Sequence, residues 1–131
     1  MKVHHIGIAV ESLHAGIPVF EKLLGCAPTS QEIVADQKVR VAVFQLGDSR
    51  IELLEATSPD SPIAKFIAKR GQGIHHLTLA VADLTGRLAE LEASGVRLID
   101  REPRVGVGKK RMAFLHPSST AGVLVELVEE K

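Results

Sequence analysis

One histidine and one glutamate recur, in the same order, in each half of this 131-residue sequence. His5 and His76 each stand near the start of a β-branched and aliphatic run, and Glu52 and Glu126 each lie inside a later run of the same kind. Two imidazoles and two carboxylates suit five- or six-coordinate Co²⁺, Mn²⁺, Fe²⁺, Ni²⁺ or Zn²⁺ and leave positions for substrate oxygens. The repeat therefore predicts one metal site, whose ion acts as a Lewis acid and stabilises an enolate beside a carbonyl.

Each of these four residues also has an ordinary structural explanation. A glutamate within an aliphatic strand can face water at a sheet edge or pair with an arginine. A histidine that begins a strand is more often a structural residue than a ligand. These structural explanations are unrelated to one another, so they give no reason for the residues to recur in the same order in both halves. The repeat therefore favours the metal site.

The elements around these residues follow from hydrophobic periodicity. Strands are predicted at 3–10, 39–46, 50–55, 74–81, 111–116 and 122–128. Helices are predicted at 12–24 and 83–94, and Pro18 should kink or delay the first of them. A linker helix follows from Ser61 as N-cap and Pro62 at the first helical position. Each half is therefore predicted to form a strand, a helix and an antiparallel meander.

Alternation along the first strand of each half separates two adjacent histidines. His5 and His76 share a face with small residues, which leaves room for a ligand beside the backbone. His4 and His75 lie on the aliphatic face, which requires a helix to cover it. We therefore expect His5 and His76 in a cleft, and His4 and His75 among apolar neighbours.

A second candidate site is the segment 101–111, which holds two glycines and five cations. Glycines let backbone N–H groups approach an anion, and cations neutralise phosphate. The candidate phosphate-binding residues are Gly106, Gly108, Lys109, Lys110 and Arg111. A solvated hairpin loop with scattered cations explains the same composition. The last three residues are interpreted as a charged tail.

Composition excludes several classes of partner. Lys plus Arg equals Asp plus Glu at 16 each, and Trp and Tyr are absent, so neither nucleic acid nor an anionic membrane is an expected partner. Cys26 is the single cysteine, which excludes an intramolecular disulfide and suits a reducing compartment. The sequence shows no signal peptide and no apolar run long enough to span a membrane, so a cytoplasmic location is expected.

The paired strand openings, with Glu52 and Glu126, resemble those of the vicinal oxygen chelate superfamily. Further segments resemble its methylmalonyl-CoA epimerase family, namely residues 60–66, 73–76, 114–117 and 122–127. The resemblance implies an α+β fold of two tandem βαβββ modules, which form a curved mixed sheet around a metal cleft. It also implies a single domain over 1–131, with modules at about 1–58 and 73–131 and a linker helix at about 61–71.

The epimerase resemblance implies interconversion of (R)- and (S)-methylmalonyl-CoA. The C2 proton is removed on one face and a proton is returned on the other, through a metal-stabilised enolate. By position, the resemblance makes His5, Glu52, His76 and Glu126 the metal ligands, with Glu126 and Glu52 as candidate bases. Co²⁺ is the preferred ion, and Mn²⁺, Ni²⁺, Zn²⁺ and Fe²⁺ are alternatives. The implied partners are a small-molecule CoA thioester substrate and a second copy of the chain in a homodimer.

The chain departs from this family at a few positions. Some relatives carry a glutamate in the strand that corresponds to Val39–Val43, whereas this strand has Val41 and no acid. The second base is therefore open between Glu52, a metal-bound water and a group outside that strand. Relatives also have Gln where this chain has Glu52, and Lys is common where Ser118 stands, which bears on how CoA phosphates are bound.

Three other functions fit the same superfamily. A glyoxalase I-type lactoylglutathione lyase shares the metal and the proton transfer but acts on a glutathione hemithioacetal. An extradiol dioxygenase uses two His and one Glu around Fe²⁺, in a longer chain with a His or Tyr acid, and this chain has no Tyr. A non-enzymatic ligand-binding module of this fold typically lacks the ligands, so the four candidate ligands argue against it.

Overall fold

The computed structural model describes residues 1–106 and 109–130. These residues form eight strands and three α-helices, and none of these helices is both long and apolar enough to cross a membrane. The strands are β1 (Lys2–Ala9), β2 (Ser30–Val34), β3 (Val39–Leu46), β4 (Ser49–Ala56), β5 (Gly73–Val81), β6 (Arg104–Val105), β7 (Arg111–Leu115) and β8 (Leu124–Glu129). The helices are α1 (Leu13–Leu24), α2 (Pro62–Arg70) and α3 (Leu84–Ala93).

The chain divides into two compact units. The first unit comprises His5–His75, and the second unit comprises Met1–His4 together with His76–Lys131. The linker helix α2 therefore belongs to the first unit. The first residues of β1 belong to the second unit, and the predicted module bounds stay a prediction.

Both units arrange four strands in the same order. The first unit has the order β2-β3-β4-β1, in which β4 and β1 are parallel and the other pairs are antiparallel. The second unit has the corresponding order β6-β7-β8-β5, in which β8 and β5 are parallel and the other pairs are antiparallel. The predicted α+β class and the βαβββ order of each half are confirmed.

Two edge strands, β2 and β6, lie outside the predicted strands. Four of the five residues of β2 are exposed, as are both residues of β6. Exposure on both faces removes the apolar and polar alternation that reveals a half-buried strand. The remaining strands and the three helices lie within two residues of their predicted bounds.

The helix ends follow from local capping. The side chains of Ser12, Ser61 and Asp83 each accept a hydrogen bond from a backbone N–H in the first turn of α1, α2 and α3 respectively. Helix α1 ends at Gly25, whose φ of 72° is the left-handed conformation that glycine adopts without strain. Pro18 lies inside α1 and costs it one intrahelical hydrogen bond without delaying its start.

The helix-covered face of each sheet determines where the glutamates lie. Leu53 is buried in a cluster with residues of α1, and Leu127 is buried in a cluster with residues of α3. Because side chains alternate along a strand, the residues that precede these leucines project from the opposite face. Glu52 and Glu126 therefore lie on the faces away from α1 and α3.

His75 and His4 differ in their surroundings. The ring of His75 meets the ring of Phe66 edge to face, with centroids 5.1 Å apart, and burial lowers the pKa of His75. The prediction of apolar neighbours is confirmed for His75. His4 is buried, and its Nε2 lies 3.4 Å from Oε2 of Glu130. This carboxylate partner from the far end of the chain was not predicted, and the apolar surroundings of His4 stay a prediction.

Of the predicted charged tail, Glu129 and Glu130 make structural contacts, and Lys131 lies outside the described residues. Glu129 Oε2 accepts a hydrogen bond from the N–H of Leu84 at the start of α3, at 3.0 Å. Glu55 Oε1 accepts the corresponding bond from the N–H of Leu13 at the start of α1, at 2.6 Å. A carboxylate is stabilising at a helix N-terminus. Each half of the chain thus uses a second repeated glutamate to fix its helix.

Candidate functional site

The first unit brings His5 and Glu52 together across two parallel strands. Gly7 of β1 stands opposite Glu52 of β4, and His5 lies two residues before Gly7 on the same face. His5 Nδ1 is 3.5 Å from Glu52 Oε2. His5 is buried and Glu52 is half-buried, so this pair meets little solvent. The imidazole and the carboxylate are close enough to share a partner.

The second unit repeats this arrangement in the same register. Thr78 of β5 stands opposite Glu126 of β8, and His76 lies two residues before Thr78 on the same face. His76 and Glu126 each offer a ligand atom, and these atoms lie within 4.8 Å of one another. The repeat in the sequence is therefore a repeat in space, with one imidazole and one carboxylate side by side in each unit.

Glu126 is half-buried, and its environment acts on its carboxyl group in opposing directions. Burial raises its pKa, whereas a hydrogen bond from Thr78 and the positive charge of Arg104 act to lower it. Thr78 Oγ1 donates this bond to Glu126 Oε1 at 2.6 Å. Thr78 is fully buried. Neither Thr78 nor Arg104 is among the individually predicted site residues, although the predicted strands left Thr78 on the same face as His76.

The donor set in each unit fits a divalent transition metal. Neutral imidazole and carboxylate groups are the ligands that Co²⁺, Mn²⁺, Fe²⁺, Ni²⁺ and Zn²⁺ accept in proteins. A buried carboxylate is costly unless it is paired or bound to an ion. His5 with Glu52, and His76 with Glu126, are therefore chemically suited to bind such an ion.

Strand β3, where a second catalytic base was sought, has a valine at position 41 and no acid there. Val41 of β3 is only 6% exposed and belongs to a buried cluster that includes Ile63 of α2. A carboxylate in that cluster would be surrounded by apolar side chains. Val41 therefore contributes to core packing. The identity of a second catalytic base stays a prediction.

Two of the predicted phosphate-binding cations already have carboxylate partners within the second unit. Lys110 Nζ lies 3.2 Å from Glu130 Oε2. Arg111 lies 3.2 Å from Glu129 Oε1, on the carboxylate that caps α3. These exposed pairs contribute little stability individually. Lys110 and Arg111 therefore have structural contacts, while their predicted role in phosphate binding stays a prediction.

Of the other predicted phosphate-binding residues, Gly106 and Lys109 are described by the structure and precede β7 in the chain. The N–H of Gly106 donates to the carbonyl of Lys110 at 2.7 Å, so this N–H already has a partner within the protein. Lys109 is exposed and has a φ of 60°. Gly108 lies outside the described residues. Of these residues, Lys109 is the best placed to meet a ligand from solvent.

Comparisons with known proteins agree with this repeated architecture. Residues 4–114 match the profile of the Glyoxalase/Bleomycin resistance protein/Dioxygenase superfamily. The uncharacterized protein YqjC of Bacillus subtilis is 45% identical over 130 residues, which cover 99% of this chain and 93% of that protein. A mitochondrial methylmalonyl-CoA epimerase of Dictyostelium discoideum is 35% identical over 130 residues, which cover 98% of this chain and 78% of that protein.

A solved structure with a ligand is also similar. It is a variant of the Streptomyces coelicolor methylmalonyl-CoA epimerase in complex with 2-nitronate-propionyl-CoA. Its TM-score with this chain is 0.87 at 36% sequence identity, and the match covers 99% of this chain and 94% of that one.

Proposed function

Since the chain belongs to the Glyoxalase/Bleomycin resistance protein/Dioxygenase superfamily, we propose that it is a metal-dependent methylmalonyl-CoA epimerase. The observation that carries the proposal is the His and Glu pair found at the same strand register in both units. The epimerases among its relatives support this choice within the superfamily. The activity is the interconversion of the (R) and (S) forms of methylmalonyl-CoA.

The proposed metal ligands are His5, Glu52, His76 and Glu126. Co²⁺ is the ion we propose first, with Mn²⁺, Ni²⁺, Zn²⁺ and Fe²⁺ as alternatives. When bound, the ion would supply Lewis acidity that stabilises negative charge on the thioester oxygen of the substrate. Burial of His5 would keep competing water away from this ligand.

Epimerisation requires a proton acceptor on each face of C2. We propose that Glu126 removes or returns the proton on one face, because its two carboxylate oxygens can serve separate roles as ligand and base. Its hydrogen bond from Thr78 leaves it well ordered for that task. Glu52 is our candidate for the other face, and the absence of an acid at Val41 makes this assignment the one to test next.

The CoA portion of the substrate is proposed to meet the segment 101–111. The CoA ligand of the Streptomyces coelicolor epimerase structure supports a CoA thioester as substrate. CoA carries phosphates, and Lys109 is an exposed cation at the turn before β7. Gly106, Gly108, Lys110 and Arg111 complete the proposed phosphate-binding segment.

Replacing Lys109 with Glu is expected to raise the KM for methylmalonyl-CoA about tenfold, as befits loss of a hydrogen bond to a charged group. The kcat should change far less, because a phosphate contact is largely the same in the ground and transition states. Steady-state kinetics measure both values. Lys22→Glu, the same charge reversal on α1, is the matched control, and an unchanged KM for Lys109→Glu would leave the segment as a solvated hairpin.

The proposed function is tested by two assays on the cobalt-loaded protein. Incubation with methylmalonyl-CoA in D₂O should place deuterium at C2 and equilibrate the two epimers, as followed by mass spectrometry and chiral analysis. Methylglyoxal with glutathione should give no lactoylglutathione. Turnover of the second substrate alone would make the protein a glyoxalase I-type lyase, and turnover of neither would favour a binding module.

We further propose a cytoplasmic location and a homodimer. The single cysteine, Cys26, is exposed and suits a reducing compartment. The homodimer rests on analogy with the fold alone.

A further inference from the structure

The two repeated glutamates face different residues across their parallel strands. Glu52 stands opposite Gly7, and Glu126 stands opposite Thr78 at the same register. Glycine has no side chain, so Gly7 cannot donate to Glu52 in the way that Thr78 donates to Glu126. The two halves therefore differ at this position, which lies opposite a proposed metal ligand in each unit.

The hydroxyl of Thr78 is itself well fixed. Thr78 has no solvent exposure, and its β-branched side chain has few accessible χ1 rotamers. Its Oγ1 lies 2.6 Å from Oε1 of Glu126, within the range of short hydrogen bonds to an ionised acceptor. A buried, rotamer-restricted donor at this distance limits rotation of the Glu126 carboxylate.

We propose that Thr78 is a positioning residue for Glu126. Its hydroxyl binds Oε1 and thereby limits rotation of the carboxylate group that would bind the divalent ion. This inference rests on the proposed function and deepens it, because it names a residue that positions one of the proposed ligands. The residue at the corresponding position of the first unit is Gly7.

The test compares Thr78→Val, which removes the donor and keeps the shape, with Thr78→Ser, which keeps the donor. Titration with Co²⁺, followed by visible absorption, should show a Kd raised about 10- to 100-fold in the Val variant, the usual effect of losing a partner of a metal ligand. The Ser variant should bind Co²⁺ nearly as tightly as the wild type. The kcat of the Val variant should fall more than its KM rises.

Thr120→Val is the matched control. Thr120 Oγ1 donates to the carbonyl of Val123 at the same distance of 2.6 Å, in the same unit but away from Glu126. This variant should keep the wild-type Kd for Co²⁺. Thermal unfolding of each variant identifies any loss of folding, and Thr78→Ala replaces the Val variant if that variant does not fold.

Two results would overturn the proposal. One is a wild-type Kd for Co²⁺ in a folded variant without the hydroxyl. The other is an equal loss of affinity in the Val and Ser variants, which would assign the effect to packing. Failure of the proposed function is seen separately, as a wild-type protein that binds Co²⁺ without exchanging the C2 proton of methylmalonyl-CoA.

Discussion

Replacing Glu126 with Gln is expected to slow exchange of the C2 proton of methylmalonyl-CoA by about 10²- to 10⁴-fold, the usual contribution of an acid–base group. Gln keeps the shape of Glu, can still accept the hydrogen bond from Thr78, and can offer a neutral oxygen to a metal ion. It cannot accept the substrate proton. Some metal should therefore remain while proton transfer on one face fails.

The measurement is deuterium incorporation at C2 in D₂O, with metal content determined by elemental analysis on the same sample. Glu90→Gln makes the same change on α3, where Glu90 pairs with Arg87 on the surface. This control should exchange at the wild-type rate. A Glu126→Gln protein that retains its metal and also exchanges at that rate would show that Glu126 is only a structural ligand.

Removal of metal by a chelator is expected to abolish epimerase activity, and Co²⁺ or Mn²⁺ is expected to restore it. The reason is the His and Glu pair in each unit, whose donor atoms suit these ions. Activity should follow metal content as measured by elemental analysis. Full activity in protein shown to be free of metal would disprove the proposed metal dependence.

Histidine variants separate ligands from structural residues. His5→Ala and His76→Ala should each lose metal, because each removes a proposed ligand. His4→Ala and His75→Ala should retain metal but unfold more easily, by about 1–2 kcal/mol, a common cost of a buried substitution. His4→Ala loses the contact with Glu130, and His75→Ala loses the ring contact with Phe66. Equal metal loss in both classes would contradict the assignment of His5 and His76 to the ligand face.

Several features could be predicted because they depend on residues that are close in the sequence. Alternation of side chains along a strand separates His5 from His4 without any tertiary information. Capping links a residue such as Ser12 or Asp83 to a backbone N–H three residues later. The internal repeat of the sequence assigns one glutamate to each histidine. The register of the parallel strands in each unit reproduces this pairing.

Other features depended on contacts between residues that are distant in the sequence. Thr78 reaches Glu126 across 48 positions of the chain, and no local pattern in the sequence reveals that partnership. His4 meets Glu130 from the opposite end of the chain. Lys110 was predicted as a phosphate ligand, and only the fold brings it to Glu130.

The sequence by itself determined the three helices and their caps, the strands other than β2 and β6, and the repeated His and Glu residues. Only the tertiary structure decided which residue stands opposite each glutamate and which charges meet. The physical reason is that helix caps and side-chain alternation depend on backbone geometry over a few residues. Partners across strands depend on a register that the whole sheet and its core set together.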